Sequence, residues 1–128
     1  MTMNRPFPAH PETCDYQVFE AALENDPNVF FHGTSAANLQ SILTDGFRFP
    51  DHPKAQSVSF ASTSSVPLRY ASEARDAACP EGCVIAVRYV ELERRGIEYN
   101  GSVLHDRILK PQPTIIAYCI VPSSYLHS

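Results

Sequence analysis

The sequence predicts an α+β fold: helices gathered in the first half, and a mostly antiparallel sheet drawn largely from the second. Three observations carry this. The runs "CVIAVRYVEL", "VLHDRIL" and "TIIAYCIV", rich in Val, Ile and Tyr, follow one another with only turn-rich connections between them. Stretches with helical spacing and capping residues lie before them. No internal repeat is present. At 128 residues the chain is one domain's worth, long enough to bury roughly two-thirds of its unfolded surface.

Residues 1–12, with Pro6, Pro8 and Pro11, read as a flexible lead-in to a single domain over 13–128. Thr13 is a candidate cap for a helix in which Tyr16, Phe19, Ala22 and Leu23 recur at helical spacing, and "NDPN" ends it by turn chemistry. "NVFFHG" is a buried strand. Ser35 caps a helix whose Leu39, Ile42 and Leu43 share a face, and Gly46 stops it. "FRFPDHPKAQ", with two prolines, is loop, and the alternating "SVSFAS" is a strand. "SSVPLRYASEARDAA" is a helix with Ser64 or Ser65 as cap and Pro67 in its first turn. "RRGIEYNGS" is a connection in which Ile97 and Tyr99 suit a short strand, and "KPQP" parts the last two strands.

Composition narrows the function classes. A net charge of −4 gives no basic footprint for nucleic acid. There is no apolar run of membrane-spanning length and no apolar secretory core near the start, so the expected setting is the cytoplasm. Four cysteines, at 14, 79, 83 and 119, form no zinc pattern. Cys119 falls inside a strand pattern as a buried thiol. Cys79 and Cys83 flank the turn of "CPEGC", where either a bridge or two free thiols would fit, and a reducing compartment favours the latter.

No phosphate-cradling Gly loop, nucleophile elbow or HExxH helix is present. What remains is a distributed set. "FFHGTSAANLQSILTDGF" puts His32, Gly33 and Thr34 at the end of a strand that runs into a Gly-closed helix. "SFASTSSVPLRYA" follows with Phe60, Ala61, the Ser62-Thr63-Ser64 run and Tyr70, and "DRILKPQPTIIAYCIV" with Asp106 ahead of a last strand. In order and spacing over residues 28–121 these resemble the three motifs of the ADP-ribosyltransferase superfamily of diphtheria toxin and the poly-ADP-ribose polymerases. The first motif is the most specific match. In the third, Asp106 stands where that family usually has Glu.

The resemblance implies two packed, mostly antiparallel sheets with a cleft for NAD between them. It implies a reaction in which the nicotinamide–ribose bond of NAD breaks through an oxocarbenium-like transition state and ADP-ribose passes to an acceptor. His32 would bond a ribose hydroxyl, the backbone of Gly33 would hold the carboxamide, and Tyr70 would stack on the nicotinamide. Asp106 would stabilise the developing cation. Thr34, Phe60 and Ser62 would complete the NAD site, and Arg48, which directly follows the first motif, would meet the pyrophosphate ahead of Arg69 and Arg75. No metal is required. Glu98 and His105 compete with Asp106 for its role, and alternation along the strand sends His105 and Asp106 to opposite faces. The polymerase branch has a tyrosine where this chain has Ser59 or Ala61, which implies single transfer.

A mono-ADP-ribosyltransferase acting on a macromolecular acceptor, a protein ahead of a nucleic acid, is thus the leading expectation. Its target would be chosen by the loops 47–57 and 94–103, as in compact bacterial or phage effectors and toxins. An inactive NAD-binding module of the same fold is the alternative. The related RNA 2′-phosphotransfer ranks lower, because it needs a basic phosphate site that an acidic chain scarcely offers.

Overall fold

The computed structural model describes residues 2–49, 57–90, 98–99, 102–107, 109 and 111–126. Its secondary structure is α+β, as predicted. Among the described residues seven strands form one sheet: β1 (Met3–Arg5), β2 (Val29–Ser35), β3 (Val58–Ala61), β4 (Gly82–Arg88), β5 (Glu98–Tyr99), β6 (Val103–Asp106) and β7 (Thr114–Val121). Among the described residues three α-helices accompany it, α1 (Ala21–Glu24), α2 (Leu39–Asp45) and α3 (Ser65–Glu73). The order across the sheet is β1-β7-β4-β2-β3-β6-β5, and every pairing is antiparallel except β1 with β7.

The expected pair of packed sheets is therefore corrected to a single one, but a single one with a weak seam. β2 pairs with β4 along its whole length, from Val29↔Arg88 to Ser35↔Gly82. It meets β3 only at Phe31↔Ala61. Past that point the two strands part, and the parting creates the site.

The central strand β4 is buried from Gly82 to Val87, which explains why "CVIAV" reads as a continuous apolar run rather than an alternation. Alternation then sorts the core into two layers. Val29, Phe31, Val84 and Ala86 face Leu68 and Ala71 of α3 on one side; Phe30, Ile85 and Val87 face Phe47, Phe60, Tyr89 and Leu104 on the other. Leu39 and Ile42 of α2 pack on the second layer, while Leu43 is half-buried.

Several local expectations are met. Ser35 Oγ accepts a hydrogen bond from Ala37 N, although the helix it opens starts with a 3-10 turn over Ala36–Asn38. Gly46 ends α2 at φ 82°, a conformation that costs glycine little. Others are not. The helix expected from Thr13 is a 3-10 turn, Pro11–Cys14, broken by Asp15 and Tyr16 at φ 54° and 61°. Within the flexible lead-in, Met3–Arg5 pairs with Ala117–Cys119 of β7. All four cysteines are free, so Cys79 and Cys83 are unbridged, and Cys83 and Cys119 are buried. Ile97 and residues 50–56 and 91–97 lie outside the described residues, and with them much of both target-selecting loops; of Glu98 only the backbone is described. No helix among the described residues is long and apolar enough to cross a membrane.

Candidate active site

Where β2 and β3 separate, a cleft of about 700 Å³ opens, well within the size of ligand sites. Its walls come from the end of β2, the segment from Asn38 to Arg48, β3, the first turns of α3, and β6. Of the residues singled out in the sequence, His32, Gly33, Thr34, Arg48, Phe60 and Tyr70 line it. Asp106 and Ser62 do not.

His32 fills the parting itself. On β2 it alternates with Phe31 and so falls on the same face as Phe30, where its ring meets Phe47 edge-on at 5.4 Å and Phe60 at 5.5 Å between centroids. Its Nδ1 lies 2.8 Å from the carbonyl oxygen of Ser59. A carbonyl only accepts, so the proton sits on Nδ1 and the neutral ring keeps its lone pair on Nε2. Burial among the aromatic rings pushes the imidazole below the usual histidine range, only partly opposed by the Ser59 hydrogen bond. A neutral, oriented imidazole with one accepting nitrogen is what results.

Gly33, which lines the cleft, is also required by packing. A Cβ there would stand 2.1 Å from the carbonyl oxygen of Pro67, so the glycine lets α3 lie directly on β2. That contact brings Pro67 and Tyr70 to the cleft. Tyr70 is 61% exposed and keeps a free ring face at the mouth, whereas the helix is anchored by buried Leu68 and Ala71. The helix start is fixed from below. Ser64 is wholly buried; its Oγ donates to the Glu24 carboxylate and accepts from Val18 N, and its backbone N donates to Glu24 Oε1. Burial raises the Glu24 carboxyl above the usual range, while its hydrogen bonds from Ser64 and Phe19 pull the other way.

The Arg48 side reaches the cleft through a clamp absent from the sequence reading. Gln112 behaves like a strand partner for Phe47: Phe47 N donates to Gln112 Oε1 and Gln112 Nε2 donates to Phe47 O, each at 2.8 Å. This holds Phe47 against His32 and sets the origin of Arg48, whose guanidinium donates to Ser41 Oγ at 3.0 Å. Arg69 is engaged with Glu73, and Arg75 donates to the carbonyl oxygens of Ser72 and Pro122; neither lines the cleft. Thr34 Oγ1 accepts from Asn38 Nδ2 at 2.9 Å.

Two assignments change. Asp106 is fully buried on the core side of β6, where its Oδ2 accepts from Tyr89 Oη and its Oδ1 from Leu109 N, both at 2.9 Å. The second bond, three residues on, is a turn contact of the type short acidic side chains make, and it serves Leu109 at φ 53°. The carboxylate belongs to the framework. Phe60, 1% exposed, lines the cleft from its core side and backs the His32 ring. Ser62 donates its backbone N–H to Ser102 O and stands outside the cleft.

In place of Asp106 its neighbour enters. His105 lines the cleft and its Nδ1 is 2.9 Å from Ser59 Oγ. Ser59 thus holds both imidazoles, one by its carbonyl and one by its hydroxyl. Across the sheet, Ser59 pairs with His105, and His105 with Glu98. Among the described residues lining the cleft there is no carboxylate, and no cluster of metal-binding side chains occurs among the described residues. No family model matches the chain, and no curated protein matches it.

Proposed function

We propose that the chain is a mono-ADP-ribosyltransferase that takes NAD into this cleft and passes ADP-ribose to a protein acceptor, releasing nicotinamide. The observation that supports it most is His32: the imidazole of the His-Gly-Thr motif, held neutral in a large cleft, with one nitrogen committed to a strand carbonyl and the other open to a hydroxyl donor. When bound, NAD supplies the ADP-ribosyl group and the nicotinamide leaving group. The residues present suit it. His32 Nε2 accepts from a ribose hydroxyl, the exposed ring of Tyr70 covers a flat heteroaromatic, and the Arg48 guanidinium meets the pyrophosphate.

With Asp106 committed to the core, the role of the acid passes to its competitor Glu98, whose backbone pairs with that of His105. A negative charge beside the reacting sugar stabilises the transition state more than the ground state. Labelled NAD incubated with the purified chain and a protein extract tests the reading. Protein-bound label together with free nicotinamide is the expected result; folded protein that yields neither contradicts it.

A second reading keeps the cleft without the chemistry: a module that binds NAD or ADP-ribose. The commitment of Asp106 to Tyr89 and Leu109 in the core favours it. Calorimetry separates the two, since NAD binding with no nicotinamide release, in both the parent and Glu98→Gln, belongs to the module.

A further inference from the structure

We infer that His105 is the base that takes the proton from the acceptor, and that the acceptor group is a hydroxyl of a serine or threonine side chain. This rests on the transferase reading above. The imidazole is in the cleft wall yet separate from His32, and its ring is fixed by Ser59 Oγ at 2.9 Å from Nδ1. A serine hydroxyl can serve that bond in either direction. Only when Nδ1–H donates and Ser59 Oγ accepts does the bond survive protonation of the ring, because both nitrogens of an imidazolium are donors. In that tautomer Nε2 carries the lone pair.

The chemistry of the base selects the acceptor. A carboxylate acceptor is already ionised near neutrality and gains nothing from a base. A guanidinium holds its proton too firmly for an imidazole to remove. A hydroxyl is the group for which partial proton removal during attack matters, and general-base assistance there is worth on the order of a hundredfold or more. The balance is simple: the C1′–N bond to nicotinamide breaks with the electron pair leaving on nicotinamide, a C1′–O bond forms, and the hydroxyl proton passes to His105 Nε2. A protein hydroxyl is favoured over a nucleic-acid one by the net charge of −4.

The test uses nucleophiles that differ in their need for a base. With NAD as substrate, nicotinamide release is followed in water, which must lose a proton, and with added azide, which need not. His105→Gln should slow release in water by roughly a hundredfold and recover most of it with azide; Ser59→Ala, which frees the ring, should show a smaller loss of the same kind. Protein-bound label should resist neutral hydroxylamine and mercuric ion and be removed by protease, not by ribonuclease. Release in water unchanged by His105→Gln, a loss that azide does not rescue, or label freed by hydroxylamine, mercuric ion or ribonuclease overturns the inference while leaving the transferase reading intact. No release from the folded parent chain in either condition removes both.

Discussion

At the scale of single residues, the two histidines of the cleft depend on one serine, and only one of them stood out in the sequence. His32 was legible because Gly-Thr and a Gly-closed helix follow it. His105 was visible only as a competitor to Asp106, since the bond that gives it a place, to Ser59 Oγ, joins residues 46 apart in the chain. The lowered pKa of His32 has two consequences. Its folded-state value lies below the ordinary 6.5, so protonation is resisted in the fold: the stability it contributes is present above that pH and lost as pH falls through the folded value. With azide as the nucleophile, which makes no use of His105, nicotinamide release should follow the same group, holding through pH 6.5 and falling only at lower pH. A pH–rate profile whose acidic limb has its midpoint at or above 6.5 would show that a different group controls it. For the thiols, burial pushes Cys83 and Cys119 up to about 12, so a thiol reagent at neutral pH should label Cys14 and Cys79 in the native protein and all four only after denaturation.

At the scale of elements, the cleft is framed by contacts made through backbone and small side chains. Gly33→Ala drives a methyl into Pro67 O and must push α3 off β2, expected to cost about 1–3 kcal/mol in denaturant unfolding. The Gly82 position faces Ala71 O in the same way, at 2.3 Å for a Cβ, so α3 is seated on two glycines from two strands. Gln112→Ala removes both hydrogen bonds to the Phe47 backbone and leaves them unanswered, a loss of about 1–3 kcal/mol. Since Phe47 supports His32 and leads into Arg48, NAD affinity should fall with it; calorimetry showing stability lost but NAD binding unchanged would separate the clamp from the site. Helices α2 and α3 could be located from sequence, although Ser64, expected as a cap of α3, makes no side-chain cap bond because its Oγ is engaged by Glu24 and Val18 N. The stretch after Thr13 misled because its apolar residues recur at helical spacing, yet Val18 and Phe19 are held by bonds to Ser64 and Glu24 that a continuous helix could not offer.

At the scale of the whole molecule, one sheet with a seam replaces the expected two, and the difference is small in connectivity though large in consequence. The strand inventory followed from β-favouring runs, but strand order did not: β2 lies between β4 and β3, and the short β1 joins β7 across the length of the chain. Such pairings are set by packing between distant segments, and a three-residue strand leaves too little pattern to announce itself. A ligand seated in the seam would tie together β2 and β3, whose ladder pairing is limited to Phe31↔Ala61. NAD at a hundredfold above its dissociation constant should therefore raise stability by about 2.7 kcal/mol, read as an upward shift in melting temperature. The most direct test is nicotinamide release from NAD by the parent chain and by His32→Ala, with melting temperatures measured alongside. Release by the parent, reduced on the order of a hundred- to a thousandfold in a variant that stays folded, is the outcome this account requires; equal release by both, or none from a folded parent, would contradict it.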